Sequence, residues 1–142
     1  MTAARYNVPA HLQHLQESIK RLGVFKTMVD RQRFLSEEMT RYAILKSLEE
    51  TLEIMLTIGN MIIADNMIKK PEKNDEIFDV LATAEVYPRS LAEKLWGAGG
   101  FRNILVHNYI DLNFNMVYDY LEKCLPIFKD YAKYIAKFYS RN

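Results

Sequence analysis

The sequence predicts an all-α fold, an antiparallel helical bundle in one domain over residues 1–142, and three observations predict it. Apolar residues recur at intervals of three and four along most of the chain, the signature of helices with one buried face. Glycine and proline are few, five and four among 142 residues. Hydrophobic residues make up 49% and charged residues 26%, an ordinary balance for a globular domain with a sizeable core.

Leu12, Leu15, Ile19 and Leu22 form an apolar stripe on a first helix of about four turns, with Gly23 placed to loosen its end. Asp30 is a good N-cap for the next element. From Arg31 to about Lys69 the positions Phe34, Leu35, Tyr42, Leu45, Leu48, Leu52, Met55, Leu56, Ile62 and Ile63 keep a helical period until Pro71 stops it. This predicts one long second helix, the spine of the bundle, with a bend near Gly59. Glu37, Glu38, Glu49, Glu50 and Glu53 lie on its other face and read first as a solvated side. A second reading puts one of these carboxylates beside His107, without saying which.

A turn at residues 71–74 leads into a short helix carrying Ile77, Phe78, Leu81 and Ala82. Pro88 suits the first position of another, with Leu91, Ala92 and Leu95 inward and Trp96 near the segment Gly100–Asp111. Gly97, Gly99 and Gly100 then either weaken a helix or let a backbone or a phosphate come close. The last helix, capped by Asp111 or Asn113 and kinked at Pro126, carries Met116, Val117, Tyr120, Leu121, Leu125, Phe128, Ala132, Ile135 and Phe138. Lys129, Lys133, Lys137 and Arg141 succeed one another every four residues. Such a basic stripe is usually a wet face; its other use is to track an RNA backbone, with Tyr131 or Tyr134 stacking on bases.

The chemistry concentrates in Gly100–Asp111, GFRNILVHNYID. Arg102 offers a permanently charged fork suited to phosphate, and His107 can move protons near neutral pH. Phe101, Ile104 and Leu105 give the segment an apolar back. Arg102 and His107 are five positions apart, so on a regular helix they point roughly 140° away from each other. Either the helix unwinds near His107, or a second copy of the chain supplies the complement across a twofold axis, the arrangement we favour. Asn103 shares a face with His107, and Arg102 shares a neighbouring one with Tyr109.

Arg102, four intervening residues, His107, one residue and Tyr109 together resemble the signature of HEPN domains of the HepT type. Chain length, the long helix, the Pro-started helix before the motif and the final amphipathic helix are similar too, so the likeness covers nearly the whole chain. The resemblance implies a HEPN-type homodimer that acts as a metal-independent endoribonuclease toxin on tRNA or mRNA. Arg102 and His107 would then be catalytic and Asn103 supporting. It also implies a partner, an MNT-type nucleotidyltransferase antitoxin (MntA) that neutralises the toxin by attaching AMP to Tyr109. HEPN relatives without a working Arg and His serve instead as non-catalytic partners of nucleotidyltransferases; this chain keeps both.

Composition bounds the alternatives. The formal net charge is +1, so RNA contact must come from local patches. A single cysteine, Cys124, allows no internal disulfide and suits a reducing cytoplasm. The opening residues have no signal-peptide pattern. Thr57, Gly59, Asn60, Asp65 and Asn66 interrupt the most apolar stretch, which argues against a membrane span. His11 and His14 are three apart, but no Cys, Asp or Glu completes a metal set, and no cofactor is expected.

Overall fold

The structure is a computed structural model that describes residues 6–140, and among these it contains seven α-helices and no strand. They are α1 (Val8–Thr27), α2 (Arg31–Ser36), α3 (Glu38–Asp65), α4 (Ile77–Thr83), α5 (Arg89–Lys94), α6 (Ala98–His107) and α7 (Phe114–Ser140). Short 3-10 turns at Asn74–Glu76 and Tyr109–Asp111 precede α4 and α7.

Three long helices build the core. Helix α1 starts at an Asn7 cap, whose side chain accepts from Ala10 N at 3.1 Å, and runs on through Gly23. Gly23 does not end it. Lys26 lies over the Tyr118 ring and Gly23 faces Leu125, so α1 runs antiparallel to α7. Leu15, Ile19 and Leu22 are buried with Leu48, Leu52, Met55, Leu121, Phe128 and Ile135, at about 25 cal/mol per Å² of apolar surface removed from water. Two polar contacts cross this core, each satisfying the groups that make it. Ser18 Oγ and Thr51 Oγ1 are 2.7 Å apart, and the Tyr131 hydroxyl donates to Met55 O at 2.8 Å. Burial pushes the Tyr131 phenol well above its ordinary pKa, so it remains a donor.

The expected long second helix is two helices. Asp30 caps α2 as its residue type suggests, accepting from Arg33 N at 2.8 Å, but Glu37 adopts φ −101°, ψ 98° and breaks the run. No glycine or proline marks this break. It is held from outside, because Arg41 Nη1 donates to Phe34 O (3.1 Å) and Leu35 O (2.9 Å), satisfying the last carbonyls of α2. Arg33 also grips the Glu37 carboxylate through Nε (2.7 Å) and Nη2 (3.1 Å). The hydrogen bond from Arg33, and then that from Thr40, holds the Glu37 carboxyl below its usual range.

Helix α3 stops at Asp65, before the expected Lys69, in a Schellman motif with Met67 in the left-handed position at φ 56°. Ile68 N bonds to Ile63 O at 2.9 Å and Met67 N to Ala64 O at 3.3 Å. The chain can therefore turn back before Pro71. Gly59 lets α4 approach: a Cβ there would lie 2.6 Å from Ile77 Cγ2. Pro88 is the N-cap of α5 rather than its first residue. Asn113, not Asp111, caps α7, accepting from Met116 N at 3.2 Å.

Candidate active site

Helix α6 carries the motif, and its glycines determine where it lies. Gly97, at φ 81°, turns the chain out of α5 in a conformation that strains other residues. A Cβ on Gly99 would come within 2.8 Å of the Asn74 carbonyl carbon, so the first turn of α6 rests directly on the backbone of residues 74–76. Gly100 N donates to the Asp75 carboxylate. The close approach that these glycines permit is thus made by another part of the same chain. Leu105 is buried and Phe101 stacks on Tyr120 at 4.8 Å and 15°, pinning α6 to α7. Trp96, expected near the motif, is 84% exposed.

Arg102 turns toward α3. Its Nη2 pairs with the Glu53 carboxylate, its Nη1 donates to Asn103 Oδ1 at 3.2 Å, and its Nε is enclosed without a partner. The acidic face of α3 therefore does supply a carboxylate to the motif, but to the arginine and not to the histidine. Asn103 likewise orients Arg102 and makes no bond to His107.

The His107 side chain is exposed, and no hydrogen bond or ion pair joins it to any described residue. Helix α6 stays regular to its end, with Asn108 N donating to Ile104 O at 2.9 Å. The unwinding that would bring Arg102 and His107 together within one chain does not occur. One group faces the α3 seam and the other faces solvent.

Tyr109 lies beyond α6, in the 3-10 turn. Its ring packs between Tyr42 (6.0 Å) and Phe114 (5.9 Å) on the α3 side of the motif, where Arg102 also points. Its hydroxyl is buried and has no hydrogen-bond partner. A cavity of about 320 Å³ opens beside it, lined by Tyr42, Leu45, Lys46, Glu49, Leu105 and Val106.

The basic stripe lies elsewhere. Lys129, Lys133 and Lys137 are exposed along a groove of about 980 Å³ between α1 and α7, with Ile19, Gly23, Val24, Leu125 and Ala132 also in its lining. Arg141 lies outside the described residues. Tyr131 is not available for stacking, since it is wholly buried in the core. Burial also pushes the Cys124 thiol up to about 12. Among the described residues no group of three or more His, Cys, Asp or Glu could hold a metal ion, and no helix is long and apolar enough to cross a membrane.

These features define an all-α domain that presents an Arg, His and Tyr motif on and just after a short helix docked on the long helix α3. The chain belongs to the Ribonuclease HepT-like family, whose model matches residues 15–135. It is similar to the mRNA nuclease HepT of Shewanella oneidensis, 24% identical over 106 residues that cover 75% of this chain and 80% of the relative. In fold it resembles the tri-AMPylated Shewanella oneidensis HEPN toxin in complex with an MNT antitoxin, with a TM-score of 0.81 and 22% identity. That match covers 92% of this chain and 96% of the other. It also resembles the cytosolic protein of unknown function YutE from Bacillus subtilis (TM-score 0.78, 20% identity, covering 92% and 87%).

Proposed function

We propose that this chain is the ribonuclease toxin of a HEPN/MNT pair, acting as a homodimer whose site combines Arg102 of one subunit with His107 of its partner. The observation that carries this reading is their divergence on one regular helix, with His107 exposed and unpartnered at its end. Such a pair works on one phosphate only when a second copy completes it.

RNA brings its own nucleophile, the 2'-hydroxyl. His107 takes the proton of that hydroxyl as its oxygen attacks the adjacent phosphorus; the bond from phosphorus to the 5'-oxygen breaks, and the departing oxygen takes a proton from water. The products are a 2',3'-cyclic phosphate and a 5'-hydroxyl, with no metal in the scheme. Arg102 holds the phosphate and stabilises the charge that grows on it. Asn103 sets the Arg102 fork.

Neutralisation acts through Tyr109. A cognate nucleotidyltransferase antitoxin transfers AMP from ATP to the tyrosine oxygen, releasing pyrophosphate, and the added phosphodiester charge competes with RNA phosphate for Arg102. The buried hydroxyl has to turn outward first, so modification and opening of the Tyr42, Tyr109 and Phe114 cluster occur together.

The test is incubation of purified protein with total RNA in EDTA, beside Arg102→Ala and His107→Ala. Cleavage by the wild type alone is expected; cleavage that persists in both variants would overturn the assignment.

A further inference from the structure

The seam between α3 and α6 carries more than the motif. Facing pairs Arg102 with Glu53 and Tyr109 with Tyr42 show that the two helices run antiparallel, and between these pairs lies the cavity of about 320 Å³. Its volume is at the low end of small-ligand sites. Tyr42 is 60% exposed and presents a ring; Leu105 and Val106 give an aliphatic wall. Lys46 Nζ and Glu49 Oε1 stand 3.4 Å apart beside them. Glu49 is one helical turn from Glu53, about 6 Å along α3, so the cavity adjoins the place where Arg102 would hold a phosphate.

From this juxtaposition we propose that the cavity is a nucleobase subsite that selects guanine in the nucleotide next to the cleaved phosphate. It rests on the ribonuclease reading only for the source of the base. Single-stranded RNA is read by stacking a splayed base on an aromatic ring and hydrogen-bonding its Watson–Crick edge. Tyr42 provides the ring. Guanine alone offers a carboxylate two adjacent donors, N1–H and N2–H, beside a carbonyl oxygen that accepts from an ammonium group. Glu49 and Lys46 match that edge in order. Adenine, cytosine and uracil each give the carboxylate a single donor group there. An ordinary surface Lys–Glu pair needs neither a cavity nor an exposed aromatic ring at its side.

The experiment titrates GMP, AMP, CMP and UMP into the 15N-labelled protein and, separately, measures cleavage of short RNAs that differ in one base beside the cut. GMP is expected to shift the amides of residues 42–49 and 105–109 saturably and to bind about ten-fold more tightly than UMP. Tyr42→Ala should weaken GMP about ten-fold or more, the scale of one lost base–aromatic stack. Glu49→Gln should remove the preference for guanine while circular dichroism stays native. Equal affinity for all four nucleotides, no saturable shift, or a dimer that dissociates in Tyr42→Ala would overturn the subsite. Selective GMP binding by a protein that cuts no RNA keeps the subsite and removes the ribonuclease reading. Cleavage indifferent to the neighbouring base does the reverse.

Discussion

Arg102 on α6 and Glu53 on α3 form an ion pair through Nη2, while Arg102 Nη1 donates to Asn103 Oδ1 and its Nε has no partner. The fork is thus held by two neighbours. Arg102→Lys keeps a charge but loses the planar fork, and is expected to lower kcat/KM by about 10²-fold or more. Glu53→Gln should lower kcat about ten-fold by loosening the fork, as for other misplaced positioning groups. Because Glu53 is half exposed, stability should change by no more than about 1 kcal/mol. Steady-state kinetics with a fluorogenic RNA, alongside thermal melts, measures both; an undiminished kcat in Glu53→Gln would show that the pair has no positioning role.

The His107 side chain is exposed and has no polar partner among the described residues, so His107→Ala should leave stability within about 0.5 kcal/mol of wild type. Cleavage should nevertheless fall by about 10²- to 10⁴-fold. Mixing Arg102→Ala subunits with His107→Ala subunits gives a sharper result. If each site takes one group from each subunit, half of the randomly mixed dimers regain one of two sites, and about a quarter of wild-type activity returns. No recovery after verified subunit exchange would mean that both groups act from the same chain.

The legible and the illegible parts of this fold differ for a physical reason. The stripe on α1, the cap at Asp30 and the buried Val117, Leu121, Phe128, Ala132 and Ile135 of α7 depend on neighbours within a turn or two, so spacing alone carries them. Met116, expected on the same face of α7, is instead exposed, and the buried Tyr118 and Cys124 fall outside the expected set. The break at Glu37 depends on Arg41 reaching back to carbonyls six and seven residues earlier, and nothing local demands it. Glu53 is one of five candidate carboxylates, and only the docking of α6 on α3 chooses it and gives it to Arg102. Tyr131 cannot serve as a stacking group because its ring is wholly buried at an inward position of α7, where its hydroxyl donates to Met55 O.

The seat of α6 has no room to spare. Gly99→Ala places a Cβ 2.8 Å from the Asn74 backbone, which cannot yield as a flexible side chain would. A loss of about 1–3 kcal/mol is expected from overpacking. The displacement is borne by α6 itself, so cleavage should drop in the fraction that still folds. Urea melts and assays at a temperature where the variant is folded separate the two effects.

Cys124 should be inert in the native protein. Its thiol is buried and pushed up to about 12, chiefly by loss of solvation, so almost no thiolate exists at about pH 8. Reaction with Ellman's reagent should be negligible there and complete once urea unfolds the chain, where the thiol titrates near about 8.5. The folded pKa is raised, and the thiol stays neutral in the fold as pH rises. Above about pH 8.5 the unfolded chain ionises first and this group's contribution to stability falls. Rapid native-state labelling would contradict the burial.

Tyr109 combines a stability effect and a modification effect that one substitution separates. Its hydroxyl is buried without a partner, a state that costs about 1–3 kcal/mol relative to a satisfied group. Tyr109→Phe removes that oxygen and keeps the ring between Tyr42 and Phe114, so it should melt at the same temperature as wild type or higher. The same variant should accept no AMP from a cognate nucleotidyltransferase and ATP, where the wild type gains the mass of one or more AMP units. AMP on the wild type should lower thermal stability, because the ring cannot stay packed with a nucleotide on its buried oxygen. Intact-mass spectrometry and melts of the modified protein read both. A variant that melts well below wild type would mean that the hydroxyl has a partner in the folded protein. AMP on the variant would place the modification on another residue.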